Sequence, residues 1–405
     1  MIVSEILAQR YMKRYLLARV VSNFGNGMSP IALAFGVLHL RGGSATELGW
    51  ILALAPIAMM VMAPFGGVIA DKYGRVRVVG ICDIWGSVGL FVQAAFFATG
   101  HVPVWVLLFA NINFGLSWGV FWPASSGVMP AICKDEALQR ANSLQYLVSN
   151  TAMILGAALG GIIVSTWGST TGLFIDAATF TFAGSVVFSF RHLVAPNQEP
   201  STLREDLIHG WKTFISYKWA AVVIGGFSVM MATWAMTENI LGPLISLKNF
   251  HGAKSWAIVL TAESIGYLVG SLIGIKIKLR FPLRAVAILI STLALFSWSM
   301  SKPSSLVVIA IAAFIWGVAL DLLSTLWSTT LARSVPREAL SRVSSYDALG
   351  SFLLRPIGLL IAAPLANHFG YTKTLIAIGV VSLLVGLLML AVPQVRNMEL
   401  SEINK

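Results

Sequence analysis

Eight ionisable side chains fall inside long apolar stretches of this sequence, where water cannot solvate a charge. They are Arg19, Asp83, Asp176, Glu238, Glu263, Asp321, Asp347 and Arg355. A charge at the centre of a membrane-spanning helix costs about 2.5–3.5 kcal/mol, so each of these groups requires a partner or a task. Asp321 and Arg355 lie at similar depths in neighbouring stretches, which predicts a buried ion pair. Asp83 and Asp347 lie nearer the ends of theirs and are interpreted as gate or capping residues.

Of these acids, Glu238 has the neighbours that most favour a functional role. Trp234 precedes it by one helical turn on the same face, and Glu263 lies at a comparable depth in the next apolar stretch. A carboxyl group held away from water there can exchange a proton with one aqueous phase at a time. Glu238, Glu263 and Asp321 are therefore candidates for coupling a proton to another process. The alternative is a carboxyl group that only hydrogen-bonds a neighbouring helix.

The composition indicates that the elements carrying these groups are surrounded by lipid. Of the 405 residues 57% are hydrophobic and 11% are charged, against about 25% charged in soluble domains. The net charge of +11 is spread thinly between apolar stretches, so no nucleic-acid partner is expected. The sequence has no G-x-x-x-x-G-K-[ST] loop, catalytic triad or HExxH motif, and its two cysteines fit no metal site. Neither an enzyme nor a bound cofactor is expected.

Twelve apolar stretches predict an all-α integral membrane protein with 12 transmembrane helices. They are approximately residues 15–39, 46–70, 78–99, 103–131, 141–166, 171–190, 219–245, 255–276, 284–301, 305–332, 343–366 and 373–392. Of the 28 Lys and Arg, 21 fall on the side that holds the N-terminus, five on the other and two inside helices. The positive-inside rule therefore predicts that both termini are cytoplasmic in a multi-pass protein of the inner or plasma membrane.

The only long polar connection predicts a boundary between two halves. It covers residues 191–218 and contains Pro196 and Pro200. We expect a six-helix bundle over residues 1–190, a cytoplasmic linker over 191–218 and a second six-helix bundle over 219–405.

The two halves resemble one another in sequence. Residues 137–168 align without gaps on 339–370, with an offset of 202. The matched pairs include Gly115/Gly317, Arg140/Arg342, Gly156/Gly358 and Gly168/Gly370. Chance similarity between apolar segments is the alternative, but it explains matched charged and glycine positions poorly. Two parallel six-helix repeats are typical of transporters in which two bundles rock about a central site.

The connection between the second and third stretches carries the strongest local motif, GGVIADKYGRVRVV. Its residues Gly67, Asp71, Lys72, Gly74, Arg75 and Arg77 fit the pattern G-x-x-x-D-[RK]-x-G-R-x-[RK]. Gly67 and Gly74 permit close backbone approach and a tight reversal. Asp71 can pair with Arg75 or with a helix N-terminus of the other half. An ordinary basic loop is the alternative, but it does not account for the Gly–Asp–Gly–Arg spacing.

This motif resembles the signature loop of the major facilitator superfamily, and the chain is identified as a member on the motif, the repeat and the middle linker together. The resemblance implies the superfamily fold of two six-helix pseudo-repeats. It also implies that the loop latches the cytoplasmic gate against helix 11.

Two weaker resemblances point to exporters within the superfamily. Residues 156–161, GAALGG, resemble the antiporter motif G-P-x-x-G-G, with Ala157 where the family has proline. Ala141-Asn142 and the segment FIDAATF (174–180) resemble the branch that contains siderophore, macrolide and drug exporters, including the enterobactin exporter group.

Polar and aromatic stripes on three helices are candidates for lining a substrate cavity, because these helices line the cavity in the superfamily. The candidates are Asn23, Asn26, Phe114, Trp118, Trp122 and Trp234. An aromatic wall opposite a few amides suits a bulky, partly apolar organic molecule. Aromatic residues that face lipid are the alternative.

These features together predict a secondary active transporter that exports a small amphiphilic, drug-like compound in exchange for protons by alternating access. A proton-coupled uptake symporter of the same fold is the alternative. The expected partners are a small organic substrate, protons and the lipid bilayer, with no obligatory oligomeric partner. The proton gradient is the expected energy source, with no cofactor.

Overall fold

The protein is described here from a computed structural model. The described residues are 3–40, 42–133, 135–193, 217–277, 279–335, 343, 346–347 and 349–399, and every regular element among them is helical. The chain divides into a first unit, Met1–Glu199 with Gly252–Ala257, and a second unit, Pro200–His251 with Ile258–Lys405. The boundary after Glu199 falls in the predicted linker 191–218, most of which lies outside the described residues.

The helices of the first unit run up and down with short connections. They are α1 (Val3–Leu7), α2 (Met12–His39), α3 (Ala45–Tyr73), α4 (Arg75–Ala98), α5 (Val104–Ser125), α6 (Val128–Ile132) and α7 (Asp135–Phe188). Ser44 begins α3 with a reciprocal cap, in which the Ser44 Oγ accepts from the Glu47 amide and the Glu47 carboxylate accepts from the Ser44 amide, both at 3.1 Å. This cap satisfies two amide groups that a helix start leaves unpaired.

The helices of the second unit are interrupted more often. They are α8 (Lys218–Ala235), which continues through a π-helical turn (Met236–Leu241) into α9 (Gly242–Asn249), then α10 (Ala253–Lys276), α11 (Pro282–Ile290), α12 (Leu293–Ser301), α13 (Leu306–Ser334), α14 (Arg355–Phe369), α15 (Tyr371–Ala391) and α16 (Pro393–Arg396). Residues 353–354 form a turn immediately before α14. Proline at the second position of α14 explains this restart, because proline lacks the amide that would continue the preceding helix.

Ten helices of the described chain are long and apolar enough to cross a membrane. One of them, Arg140–Phe188, is bent at Gly168 into two arms. Helix α2 has 28 residues, which is also sufficient length, but it is not among the ten. The multi-helix membrane architecture is therefore confirmed, and the count of twelve spans stays a prediction.

Glycines matched between the two halves make equivalent helix contacts in the two units. A Cβ on Gly156 would overlap the backbone of Phe24 on α2, and one on Gly358 would overlap the backbone of Ala232 on α8. Close approach of this kind at small residues is how membrane helices gain packing contacts when no hydrophobic effect drives them together. The repeated glycines therefore position equivalent helices in each unit.

Another matched pair of glycines, Gly168 and Gly370, forms the turn between two consecutive long helices in each unit. Gly168 has φ 83° and ψ 165°, and Gly370 has φ 84° and ψ 146°. Side chains are excluded from this region of backbone space, which only glycine enters readily. The same strained turn at both positions is further evidence of the repeat.

We predict that Gly168→Ala and Gly370→Ala destabilise the protein to a similar extent. Forcing a side chain into this conformation costs about 1–3 kcal/mol, so the melting temperature of the purified protein in detergent should fall by several degrees. Gly225→Ala is the control, because Gly225 has no positive φ and a Cβ there meets no atom within 4 Å. Equal melting temperatures for all three variants would contradict the assigned turns.

Candidate functional site

The predicted gating loop is a one-residue connection between α3 and α4. Gly74 joins them with φ 90° and ψ 121°, and its amide donates to Ala70 at 2.9 Å. Arg75 opens α4, and its guanidinium contacts the Asp71 carboxylate at 2.9 and 3.0 Å and the Ser126 hydroxyl at 3.1 Å. Lys72 and Arg77 are exposed. Of the two partners predicted for Asp71, Arg75 is therefore confirmed, and the latch against helix 11 stays a prediction.

The sequence predicts close backbone approach and a tight reversal at Gly67 and Gly74, and the structure confirms only the reversal at Gly74. Gly74 makes the tight reversal, and its positive φ explains why glycine is needed there. A Cβ on Gly67, however, would meet no atom within 4 Å. The close approach belongs to its neighbour Gly66, where a Cβ would overlap the carbonyl oxygen of Gly119 on α5.

A buried ion pair joins α2 and α4 within the first unit. The Arg19 guanidinium donates to the Asp83 carboxylate, and the two side chains are 6% and 2% exposed. The ring of Phe121 on α5 lies 5.2 Å from the guanidinium carbon. The interpretation of Asp83 as a helix cap is wrong, because α4 begins at Arg75 and Asp83 lies inside it. The pair satisfies two charges that lipid would not tolerate separately.

The aromatic residues of α5 form a continuous series of ring contacts. Trp118 stacks on Trp122 with ring centroids 5.9 Å apart and also lies 5.8 Å from Phe114. Phe114 packs edge-to-face on Phe180 of α7 at 5.7 Å, so it contributes to packing inside the first unit. Trp122 is the most exposed of the series.

The two amides predicted to lie in the cavity are both half-buried on α2. Asn23 donates to the carbonyl of Arg19 at 2.7 Å, a hydrogen bond within its own helix. A role in substrate binding for Asn23, Asn26 or the α5 aromatic residues stays a prediction.

In the second unit, Glu238 lies in the π-helical turn that follows α8. Such a turn contains one extra residue, which redirects its side chains, and it occurs frequently at functional sites. The turn brings the Glu238 carboxyl beside that of Glu263 on α10 and within electrostatic reach of the Arg355 guanidinium. Trp234 also contacts both carboxyl groups, as its shared face with Glu238 predicts. We call Glu238, Glu263, Arg355 and Trp234 the carboxyl cluster.

The carboxyl cluster is closed to solvent at its polar atoms. Glu263 is 2% exposed, and its Oε1 accepts a hydrogen bond from the Tyr267 hydroxyl at 2.6 Å. One oxygen of each carboxyl and the Trp234 indole nitrogen are buried without a well-formed hydrogen bond to any described residue. The Arg355 guanidinium lies 5.9 Å from the Trp234 ring, where it gains a cation–π contact. The cluster therefore holds two acids and one base.

The predicted ion pair between Asp321 and Arg355 is wrong. Asp321 accepts instead from the Ser271 hydroxyl on α10 at 3.0 Å, and the acid that interacts with Arg355 is Glu238. The predicted pair assumed that Arg355 lies in the middle of one continuous helix. The turn at residues 353–354 restarts the helix at Arg355 and changes the direction of its side chain.

Two further acids, Asp347 and Asp176, make contacts that fit a structural role. Asp347 accepts from the Trp327 indole at 2.9 Å and from the Ser351 hydroxyl at 3.0 Å. Asp176 on α7 is 1% exposed and packs beside Gly25 of α2.

Comparison with known proteins identifies the family. The family model described as Major Facilitator Superfamily matches residues 15–346. The chain belongs to the major facilitator superfamily. It is a multi-pass membrane transporter and not an enzyme, as the loop motif and repeat predict.

Two bacterial relatives of this superfamily member are an efflux pump and an exporter. Multidrug efflux pump Tap of Mycolicibacterium fortuitum is 26% identical over 406 residues, which cover 95% of this chain and 96% of Tap. Enterobactin exporter EntS of Escherichia coli O1:K1 / APEC is 27% identical over 397 residues, which cover 91% of this chain and 90% of EntS. Their similarity confirms the resemblance to the exporter branch.

A solved structure supports the fold alone. The crystal structure of nucleoside transporter NupG has a TM-score of 0.73 at 13% identity, over 94% of this chain and 98% of NupG.

We predict that the two ion pairs of the first unit differ strongly in their effect on stability. Asp83→Asn leaves a buried guanidinium without its counter-charge, which costs about 3–5 kcal/mol. Asp71→Asn breaks a pair whose acid is 55% exposed, which costs about 0.2–1 kcal/mol. The melting temperature in detergent should therefore fall much further for Asp83→Asn.

The double variant Arg19→Met/Asp83→Leu removes both buried charges and should recover most of the loss, since no unpaired charge remains. Equal melting temperatures for Asp83→Asn and Asp71→Asn would contradict a buried pair at Arg19 and Asp83.

Proposed function

We propose that this transporter exports a small amphiphilic organic compound across the inner membrane of a bacterium in exchange for protons. Glu238 and Glu263 carry the exchanged proton. Both termini lie in the cytoplasm, on the side enriched in Lys and Arg.

The observation that carries this proposal is the imbalance of charge in the carboxyl cluster. Two carboxyl groups lie side by side with one guanidinium, and one buried oxygen of each has no well-formed hydrogen bond to a described residue. Adjacent carboxylates in a water-poor site cannot both be ionised, so the pair holds a proton that a change of environment can release. Once that proton leaves, Arg355 compensates only one of the two negative charges.

The cluster thus supplies two states with different charge. In the protonated state one carboxylate faces Arg355 and the cluster is neutral. In the deprotonated state it carries one negative charge, which a cationic or hydrogen-bond-donating substrate stabilises. Substrate binding and proton binding then oppose one another, and such a negative coupling is what an exchanger requires.

The relatives support the outward direction of transport. Tap is described as a multidrug efflux pump and EntS as an enterobactin exporter. The GAALGG segment, which resembles the antiporter motif, also supports export. Its residues Gly156 and Gly160 both pack closely on α2.

We predict that Glu238→Gln abolishes accumulation driven by a pH gradient but preserves exchange. Glutamine resembles the protonated carboxyl and cannot release a proton. In everted vesicles with an acidic interior, the wild-type protein should accumulate ethidium or enterobactin. The Glu238→Gln protein should not, yet it should still exchange labelled for unlabelled compound without a gradient. Asn239→Gln, in the same π-helical turn, is the matched control and should transport like the wild type.

Three results would contradict the proposal. Full accumulation by Glu238→Gln and Glu263→Gln alike would exclude the cluster as the proton carrier. Expulsion of both compounds from acidic everted vesicles by the wild-type protein would indicate the uptake symporter instead. Failure of the wild-type protein to move either compound against the gradient would exclude proton-driven export of both.

A further inference from the structure

A row of polar side chains leads away from the carboxyl cluster along one face of α10. Glu263, Tyr267 and Ser271 are each four residues apart, so they project from the same side of the helix. Asp321 of α13 lies at the end of the row. These groups run towards the Lys276 end of α10, which the charge distribution predicts to be cytoplasmic.

Hydrogen bonds join two of the neighbouring pairs of side chains in this row. The Tyr267 hydroxyl donates to Glu263 Oε1 at 2.6 Å, and the Ser271 hydroxyl donates to Asp321 Oδ2 at 3.0 Å. Tyr267 and Asp321 interact electrostatically across the remaining step. A hydrogen-bonded connection across this step requires water between the two groups.

Close helix packing holds the two sides of the row together. A Cβ on Gly317 of α13 would overlap the backbone of Glu263, and a Cβ on Gly270 of α10 would lie 2.9 Å from the Asp321 Cβ. These glycines keep α10 and α13 near enough for Asp321 to reach the α10 face. Exposure rises along this face of α10, because Glu263 is buried, Tyr267 is half-buried and Ser271 is exposed, and Asp321 lies half-buried beside Ser271.

From this arrangement we infer that Tyr267 and Asp321 form the path by which the proton of the carboxyl cluster leaves Glu263. Asp321 is then the solvent-facing end of the path, and Ser271 positions its carboxylate. The inference rests on the proposed role of the carboxyl cluster as a proton carrier and replaces the prediction that Asp321 is an independent coupling site.

The transfer conserves every proton. When Glu263 is protonated, its hydroxyl donates to the Tyr267 oxygen across the 2.6 Å contact, and the Tyr267 hydroxyl turns to donate towards Asp321. The Glu263 proton then passes to the Tyr267 oxygen, while the original Tyr267 proton passes through water to the Asp321 carboxylate. Glu263 ends as a carboxylate, Asp321 ends as a carboxylic acid, and Tyr267 is unchanged. Asp321 then releases the proton to water. The ionisable groups around Glu263 are Glu238 and, beyond it, Arg355 on one side, Tyr267 on its own helix and Asp321 on α13.

The test follows the rate of proton exchange at Glu263 without any substrate. Purified protein in lipid nanodiscs is given a light-triggered pH jump, and the infrared carbonyl band of the protonated carboxyl is recorded with time. The band of the cluster is identified as the one that Glu263→Gln removes. Tyr267→Phe keeps the ring and removes only the hydroxyl, and Ser264→Ala is its control on the same helix, where Ser264 bonds only the Leu260 carbonyl among the described contacts.

We expect Tyr267→Phe and Asp321→Asn to slow the change of this band by about tenfold or more, since a positioned proton-transfer group contributes about 10²–10⁴ to a rate. The final amplitude should match the wild type, because the end states are unchanged. Asp321→Glu should restore much of the rate, and Ser264→Ala should leave it unaltered.

Wild-type rates in both Tyr267→Phe and Asp321→Asn would overturn the path, even if Glu238→Gln abolishes pH-driven transport. A reduced amplitude in Tyr267→Phe would also overturn it, because that result assigns Tyr267 a structural role. The experiment therefore distinguishes failure of the inferred proton path from failure of the proposed function.

Discussion

A charge inside a bundle surrounded by lipid must find a compensating charge or a proton, and this requirement explains the placement of the buried ionic groups. In the first unit Arg19 and Asp83 meet it as a pair of one base and one acid. In the second unit it is met only in part, because Arg355 interacts with Glu238 while the adjacent Glu263 adds a second acid. A balanced pair stabilises, whereas we propose that the unbalanced group of three binds and releases a proton as its surroundings change. The proposed coupling depends on that difference.

Backbone geometry creates the imbalance. Glu238 lies within the π-helical turn at Met236–Leu241, whose extra residue adjusts the direction of its side chains. The restart of the helix at Arg355 brings the base to the same place. Glycine contacts then hold α10 against α13 closely enough for polar side chains to meet. Two local irregularities and one close helix contact thus build the site.

Much of the fold was predictable from the sequence because its signals are chemical and local. The apolar stretches identify membrane helices, and the offset of 202 locates Gly168 and Gly370 at equivalent turns. The placement of Trp234 and Glu238 on one face, near Glu263, was also predictable from helical spacing. The pairing of Arg19 with Asp83 was missed, although each lies at a similar distance from the start of its helix on the same side of the membrane. That equal depth was the available signal.

Other features were not predictable by counting residues along ideal helices. The predicted partnership of Asp321 with Arg355 failed because depth counts assume an uninterrupted helix, and the turn at residues 353–354 breaks that assumption. The π-helical turn has no simple sequence signature. The contact between Tyr267 and Glu263 fits four-residue spacing, but many such pairs in a membrane helix only face lipid.

The most direct measurement of the central claim is the number of protons released when substrate binds. Ethidium is added to purified protein in weakly buffered detergent solution, and a pH-sensitive dye records the change. Because binding of substrate and of proton oppose one another, the wild-type protein should release about one proton per bound ethidium well below the pH of half-protonation, about half a proton at that pH and progressively less above it. Glu263→Gln and Glu238→Gln should bind ethidium with little or no release. Undiminished release from both variants would contradict the account, since the proton would then come from groups outside the carboxyl cluster.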